Sequence, residues 1–330
     1  MNIQPAKPNI EQLPENFAII VDSISAISVS GVEADTYLQG QLTCDVEQLE
    51  VKKLLVGSHC DAKGKMFSAF RLLKQNEQRL LIQSSASLNA SMTELQKFGV
   101  FAKVDIALAE QLGYLALVGA SSGEFIQAEF NAVPDSFNPV ITNDDASVLY
   151  VGGATERYLI VAKREHIDAL SKKLTVDIYP SEVWTLLEIQ SGFVHMNSVS
   201  VGEYVPQMLN LQLVNGISFS KGCYLGQETV ARMKYLGRNK KALYALKSEG
   251  ELKWQADAMI NDSSMLEKQA GENWRRGGDI IAHYEADDGT IYIQAVLAND
   301  TEADASLRLK HQNGIKFNLM SLPYSLAEGA

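Results

Sequence analysis

A chain of 330 residues is longer than one ordinary hydrophobic core supports, so two or three domains are expected. Hydrophobic residues make up 46% and charged residues 21%, which excludes a disordered chain, and a net charge of −11 argues against a general nucleic-acid coat. No apolar run approaches the ~18 residues of a spanning helix, and Met1 to Lys7 lack the apolar stretch of a secretory signal, so the expected location is the cytoplasm, away from membranes.

Residues 1–16 read as an irregular lead-in with two prolines, Pro5 and Pro8. Strands are predicted at Phe17–Val21 and Ala26–Ser30, the second with clear alternation, then a helix over Val32–Gln39 stopped by Gly40. Leu54–Cys60 and Met66–Leu73 read as strands joined by a tight turn with Gly64 at its tip. Leu80–Gln83 is a strand and Ser87–Phe98 a helix. The pattern repeats loosely, with strands at Val104–Leu108, Tyr114–Gly119 and Arg157–Ala162 and helices at Ser122–Asn131 and Glu165–Leu174. Ser181, directly after Pro180, is a candidate N-cap for a helix reaching Ser191. Strands and helices mixed in this way predict an α+β architecture rather than a doubly wound parallel sheet.

From Lys240 the texture changes to strands separated by Gly- and Asp-rich turns: Ala242–Leu246, Asp279–Tyr284, Thr290–Leu297 and Ile315–Leu319. Residues 240–330 therefore read as a small antiparallel β-barrel. Residues 1–239 read as two interleaved α+β subdomains, with a boundary near 110 and one of them discontinuous.

The cysteines Cys44, Cys60 and Cys223 are widely spaced, no C-x-x-C occurs, and the five histidines form no zinc pattern. No metal site is expected. Between Lys221 and Lys241 the cations Lys221, Arg232, Lys234, Arg238, Lys240 and Lys241 face the single anion Glu228, a basic island suited to an anionic ligand or to a solvated helix face. Within it, Cys223 falls just before a predicted helix, Gln227–Met233, with Lys221 nearby. A helix N-terminus and a cation both favour thiolate over thiol. On the residues alone, Cys223 reads equally as a reactive thiol or a structural one, and Trp184 reads as a core residue on an amphipathic helix.

The stretch Lys221–Glu228, K-G-C-Y-L-G-Q-E, resembles the K-G-C-[FY]-x-G-Q-E signature of the YgfZ family. Tyr37–Val46, Cys60–Met66, Pro206–Leu211 and Gly271–Arg276 resemble further segments of that family in the expected order, so the resemblance runs from about residue 17 to Leu326. It implies a three-domain ring like that of the glycine-cleavage T-protein, an aminomethyltransferase that uses tetrahydrofolate. The family implies a folate-binding accessory protein that supports assembly or repair of iron–sulfur enzymes, notably the tRNA methylthiotransferase, with Cys223 and Lys221 as its reactive pair. The implied ligand is tetrahydrofolate or a one-carbon derivative.

For folate contact the resemblance points to Trp184 as a stacking partner. Gln190 stands where the superfamily commonly has a glutamate, and Ile24 where the family carries a second tryptophan. Two alternative functions present themselves. A tetrahydrofolate-dependent aminomethyltransferase needs an aspartate where this chain has Phe67 and Ser68, and neither supplies acid–base catalysis at that point, so no aminomethyl transfer is expected. Folate-dependent one-carbon or redox chemistry is the class left open. A tRNA-binding module using residues 221–241 is disfavoured by the net charge, and direct tRNA binding is not expected.

Overall fold

The structure is a computed structural model that describes residues 2–237, 239–249, 264–310 and 312–326. Its strands are β1 (Asn2–Ile3), β2 (Phe17–Val21), β3 (Ile24–Ser30), β4 (Leu55–Cys60), β5 (Met66–Gln75), β6 (Gln78–Ser84), β7 (Asp105–Leu108), β8 (Leu112–Val118), β9 (Val140–Thr142), β10 (Ala146–Tyr150), β11 (Arg157–Lys163) and β12 (Asp177–Tyr179). Six more follow in the C-terminal part: β13 (Lys241–Ser248), β14 (Met265–Ala270), β15 (Asn273–Glu285), β16 (Ile291–Ala298), β17 (Leu307–Leu309) and β18 (Gln312–Leu319). The helices are α1 (Ala34–Gln41), α2 (Leu88–Gly99), α3 (Ser122–Phe130), α4 (Arg164–Lys173), α5 (Glu182–Ser191) and α6 (Gln227–Tyr235). No helix among the described residues is long and apolar enough to cross a membrane.

The strands form three sheets. A five-stranded sheet runs β4-β5-β6-β3-β7, and a seven-stranded sheet runs β1-β12-β2-β8-β11-β10-β9. The second is built from residues on both sides of the first in sequence, because β2 pairs with β8 from Phe17 opposite Val118 to Val21 opposite Tyr114. The third is a closed antiparallel barrel, β13-β16-β15-β14-β17-β18. Its interior holds Leu246, Leu266, Ile280, Ile293, Leu297, Leu309 and Phe317.

Alternation decides what each sheet covers. On β8, Leu115 and Leu117 face the side of α3 and α4, with Ile126, Ile167 and Leu170, while Tyr114, Ala116 and Val118 face the other side. On the five-stranded sheet, Ile27, Leu72 and Leu81 pack with residues of α1 and α2, while Ala26, Leu73, Leu80 and Ile82 face inward. The two inward faces share one core with α5 and with Ala245, Ala282, Tyr284 and Tyr292 of the barrel. A helix placed between three layers has to be apolar nearly all round. In α5, Val183, Trp184, Leu186, Leu187, Glu188 and Ile189 are all buried.

Ser181 does precede α5, but its hydroxyl makes no cap bond to that helix. Its Oγ accepts instead from the backbone N–H groups of Asp22 and Ser23, at 2.9 and 3.1 Å, tying the start of α5 to the β2–β3 turn. The hairpin β9–β10 was not predicted, since β9 contributes only three residues. The lead-in is also more ordered than its composition predicts. A one-turn helix, Ile10–Gln12, is closed by reciprocal bonds between Asn9 and Gln12, and the segment binds the barrel. Lys7 N–H donates to Asp287 at 2.8 Å, the Tyr284 hydroxyl donates to the Pro8 carbonyl at 2.7 Å, and Lys247 pairs with Glu11 at 2.6 Å.

Candidate functional site

Three of the sequence segments singled out above meet around the loop 218–226. The foot of the loop is Lys221, whose ammonium donates to the carbonyls of Gln39, Leu42 and Cys44 at 2.7, 2.8 and 2.7 Å. These carbonyls lie at and just beyond the C-terminal end of α1, where a helix leaves acceptors unpaired. Ser218 N–H donates to Thr43 at 2.8 Å and Leu225 N–H to Gly40 at 3.0 Å, so the loop is fastened to the 39–44 segment along its length. Tyr224 is buried, with the Lys221 ammonium 5.2 Å from its ring centroid.

The other side of the loop is set by two glycines. Gly226, the N-cap of α6, has φ +84°, and a Cβ there would lie 2.5 Å from the Asp61 carbonyl and 2.8 Å from Gly64 Cα. Gly64, at the tip of the β4–β5 turn with φ +75°, touches Thr229 and Gly226 in return. Only glycine permits both the backbone conformation and this approach. The segment Pro206–Leu211 completes the support. Gln207 Nε2 donates to the Val230 carbonyl of α6 at 2.6 Å, and Asn210 Nδ2 donates to the Leu243 carbonyl of the barrel at 2.8 Å.

Between the buried anchors Lys221 and Tyr224, Gly222 and Cys223 are exposed. Cys223 is a free thiol, the exposed one of the three. Cys44 and Cys60 are enclosed, and burial pushes both thiols up to about 12, with Lys221 pulling Cys44 back part of the way. Lys221 was expected beside Cys223 as an activating cation. In the structure the ammonium has three N–H groups and all three go to carbonyls, leaving none to hydrogen-bond the Cys223 sulfur. Burial lowers Lys221 to about 8, while Cys44, Asp45 and Glu47 pull it upward. Gly271–Arg276 lies elsewhere, at the β14–β15 turn of the barrel. Of the basic island, Arg238 falls outside the described residues, and Arg232 pairs with Glu228 at 2.8 Å.

A second constellation lies in the shared core. Arg71 of β5 makes a two-pronged ion pair with Glu188 of α5, at 2.8 and 3.0 Å, and Arg157 of β11 reaches the same carboxylate at 3.1 Å. All three side chains are buried. Burial raises the Glu188 carboxyl, but the two guanidiniums outweigh it and hold the group below the ordinary carboxylate range. Both guanidiniums also lie over Trp184, Arg71 at 5.8 Å and Arg157 at 5.3 Å from the ring centroid, and Arg71 lies 3.8 Å from the Phe193 centroid. Gln294 of the barrel donates to the carbonyls of Glu188 and Phe193 and accepts from His195 N–H, so every layer contributes. Sequence reading missed Arg71, Arg157 and Glu188. Arg71 and Glu188 each stand as a single charge inside an apolar run, whereas Arg157, directly after Glu156, carries no such mark.

Trp184 and Ile24 belong to this core, 0% and 5% exposed, while Gln190, further along α5, is half-buried. The structure therefore gives Trp184 no free face for a pterin, and stacking there needs the covering side chains to part. The chemistry around it nonetheless suits a folate. Trp184 Nε1–H is buried with no hydrogen-bond partner, and two guanidiniums face one carboxylate, leaving an uncompensated positive charge. Arginine does not shed its proton, so an acceptor-rich anion would satisfy both. Phe67 and Ser68, which the resemblance aligns with the aminomethyltransferase aspartate, lie on β5. Phe67 packs on the His59 ring at 5.1 Å and the buried Ser68 hydroxyl donates to Ser91, so neither offers a carboxylate. No group of three or more metal-binding side chains is found among the described residues.

Comparison with known proteins agrees with this geometry. The fold matches glycine cleavage system aminomethyltransferase T from Bartonella henselae, with a TM-score of 0.66 over 94% of this chain and 87% of that one at 15% identity. The model of the YgfZ β-barrel domain matches residues 239–312. The chain is 51% identical over 319 residues to the tRNA-modifying protein YgfZ of Colwellia psychrerythraea, covering 97% of this chain and 96% of that protein. It is 38% identical over 312 residues to the protein of the same name from Yersinia enterocolitica, covering 94% and 93%. With its aminomethyltransferase-type fold, its C-terminal barrel and this similarity along nearly the whole length, the chain belongs to the YgfZ family.

Proposed function

We propose that this protein acts in tRNA modification as a folate-binding accessory of iron–sulfur enzymes such as the tRNA methylthiotransferase, with Cys223 as its working residue. The observation that carries the reading is the placement of Cys223: an exposed thiol between the buried residues Lys221 and Tyr224, on a loop bonded to the 39–44 segment. A thiol held out in this way is available to a partner protein. The names of the relatives support the tRNA-modification part, and the proposal places the protein in the cytoplasm.

Tetrahydrofolate or a one-carbon derivative fits the central cluster in kind. Trp184 Nε1–H, Arg71, Arg157 and Gln190 would hold its acceptor and anionic groups, and bound folate would supply one-carbon or redox chemistry. Aminomethyl transfer is not part of the proposal, because Phe67 and Ser68 replace the acid it requires.

The test is complementation. In cells lacking the native protein, methylthiolated tRNA nucleosides are measured by mass spectrometry with wild-type or Cys223→Ser protein supplied. Loss of the modified nucleoside in the variant, with folding intact, supports the reading, and full recovery overturns it. A thermal-shift series with tetrahydrofolate tests the ligand independently, since binding to the native state raises the melting temperature. A flat response rejects the folate part alone.

A further inference from the structure

The loop that carries Cys223 poses a question of its own: what fixes the thiol where it is. Gly222 and Cys223 are exposed and the adjacent residues are not. An ammonium is a compact point charge with three donors, and that of Lys221 finds three acceptors at hydrogen-bond distance, contributed by Gln39, Leu42 and Cys44. The last carbonyls of a helix carry partial negative charge and lack intrahelical partners. Lys221 thus caps α1 from 177 to 182 residues away in sequence.

Resting on the reading of Cys223 as the working thiol, we propose that Lys221 is its positioning residue, holding the 222–223 tip by spending every N–H on carbonyls at and just beyond the carboxyl end of α1. The arrangement assigns Lys221 a geometric rather than an electronic effect on the thiol. A cation that hydrogen-bonded the thiolate would keep a donor for sulfur, and this one has none left. Charge alone is not sufficient for the role either. A guanidinium spreads its donors in a planar fork and does not converge on three carbonyls gathered about one point.

The experiment uses the full chain with Lys221→Met, which keeps stem length, and Lys221→Arg, which keeps charge. Amide hydrogen exchange is followed in residues 39–44 and 218–225, with the barrel strands β13 and β16 as internal reference. Both variants are expected to exchange about tenfold faster in the two segments and at the wild-type rate in the barrel. Iodoacetamide labelling of Cys223 is followed across pH, and its half-maximal pH is expected to be the same in wild type and Lys221→Met.

Unchanged loop exchange in Lys221→Met overturns the proposal. So does wild-type loop exchange in Lys221→Arg, which would mean that charge suffices. A rise in the half-maximal labelling pH of Lys221→Met also overturns it, since the cation would then be acting on the thiol. Should Lys221→Met unfold, barrel exchange reports it and Lys221→Arg decides. Failure of the functional reading is seen separately, as full complementation by Cys223→Ser, which leaves the exchange result standing.

Discussion

Arg71 and Glu188 stand 117 residues apart in sequence and form a two-pronged ion pair, at 2.8 and 3.0 Å, between the five-stranded sheet and α5. With Arg157 on the far sheet bound to the same carboxylate, one buried anion holds the two α+β layers to the helix between them.

Removing that anion leaves two guanidiniums buried near each other. Glu188→Gln is expected to lose about 3–5 kcal/mol of unfolding free energy, the range for a buried pair broken from one side. Denaturant titration measures it.

The same pair sets an acid limit. The Glu188 carboxyl is held below its ordinary value of 4.5, burial opposing and the two arginines prevailing. A depressed carboxyl contributes stability that is present above its unfolded value and lost as pH falls through its folded one. Wild-type melting temperature should therefore fall below about pH 4.5, and the acid limb should be shallower in Glu188→Gln. Equal slopes in the two proteins would remove Glu188 from the account.

Trp184 is fully enclosed. Trp184→Ala should cost about 3–5 kcal/mol as an ordinary large-to-small core change. If tetrahydrofolate binds, a variant stable enough to titrate separates ligand contact from packing. Its affinity should drop by more than that of a second core variant, Leu187→Ala.

Two glycines of the thiol loop's surroundings should respond in opposite senses. Gly226→Ala forces a side chain onto the Asp61 carbonyl at positive φ and should lose about 1–3 kcal/mol. Gly40→Ala, inside α1 with nothing within 4 Å of the added carbon, should gain about 0.5–1 kcal/mol. Thermal melts of both decide it.

Iodoacetamide should label Cys223 before Cys44 and Cys60. The latter two are enclosed and held as thiols by burial, which pushes each up to about 12. Mass spectrometry of each cysteine under native conditions reads the order, and prior labelling of either buried thiol would contradict the placement.

Much of the architecture was legible because it depends on local periodicity. The run Leu112–Val118 is apolar on both faces because β8 lies in the middle of its sheet with covered sides. The glycine at 64 marked its turn for the same local reason. The motif at 221–228 marked the thiol loop, but not the partners of Lys221. Those carbonyls belong to residues near 40, and backbone acceptors leave no trace in side-chain identity. The Arg71–Glu188–Arg157 cluster was illegible on similar grounds: a lone charge in an apolar run does not name its partner, and the pairing exists only once three layers meet. The loss of a cap role for Ser181 shows a hydroxyl taken by the β2–β3 turn, a tertiary competitor that propensity does not include.

The strap formed by the lead-in has a consequence for how the chain is made. Lys7, Pro8 and Glu11 leave the ribosome 236 to 280 residues ahead of their partners Lys247, Tyr284 and Asp287. At ordinary translation rates the interval is on the order of tens of seconds. Throughout that time Lys7, Pro8 and Glu11 lack these partners, while β1 finds β12 and β2 finds β8 and then β12 as residues 112–179 emerge. The five-stranded sheet, drawn wholly from residues 24–108, is complete long before. The nascent chain thus has its five-stranded sheet in hand before residues 7–11 can be fastened to the barrel.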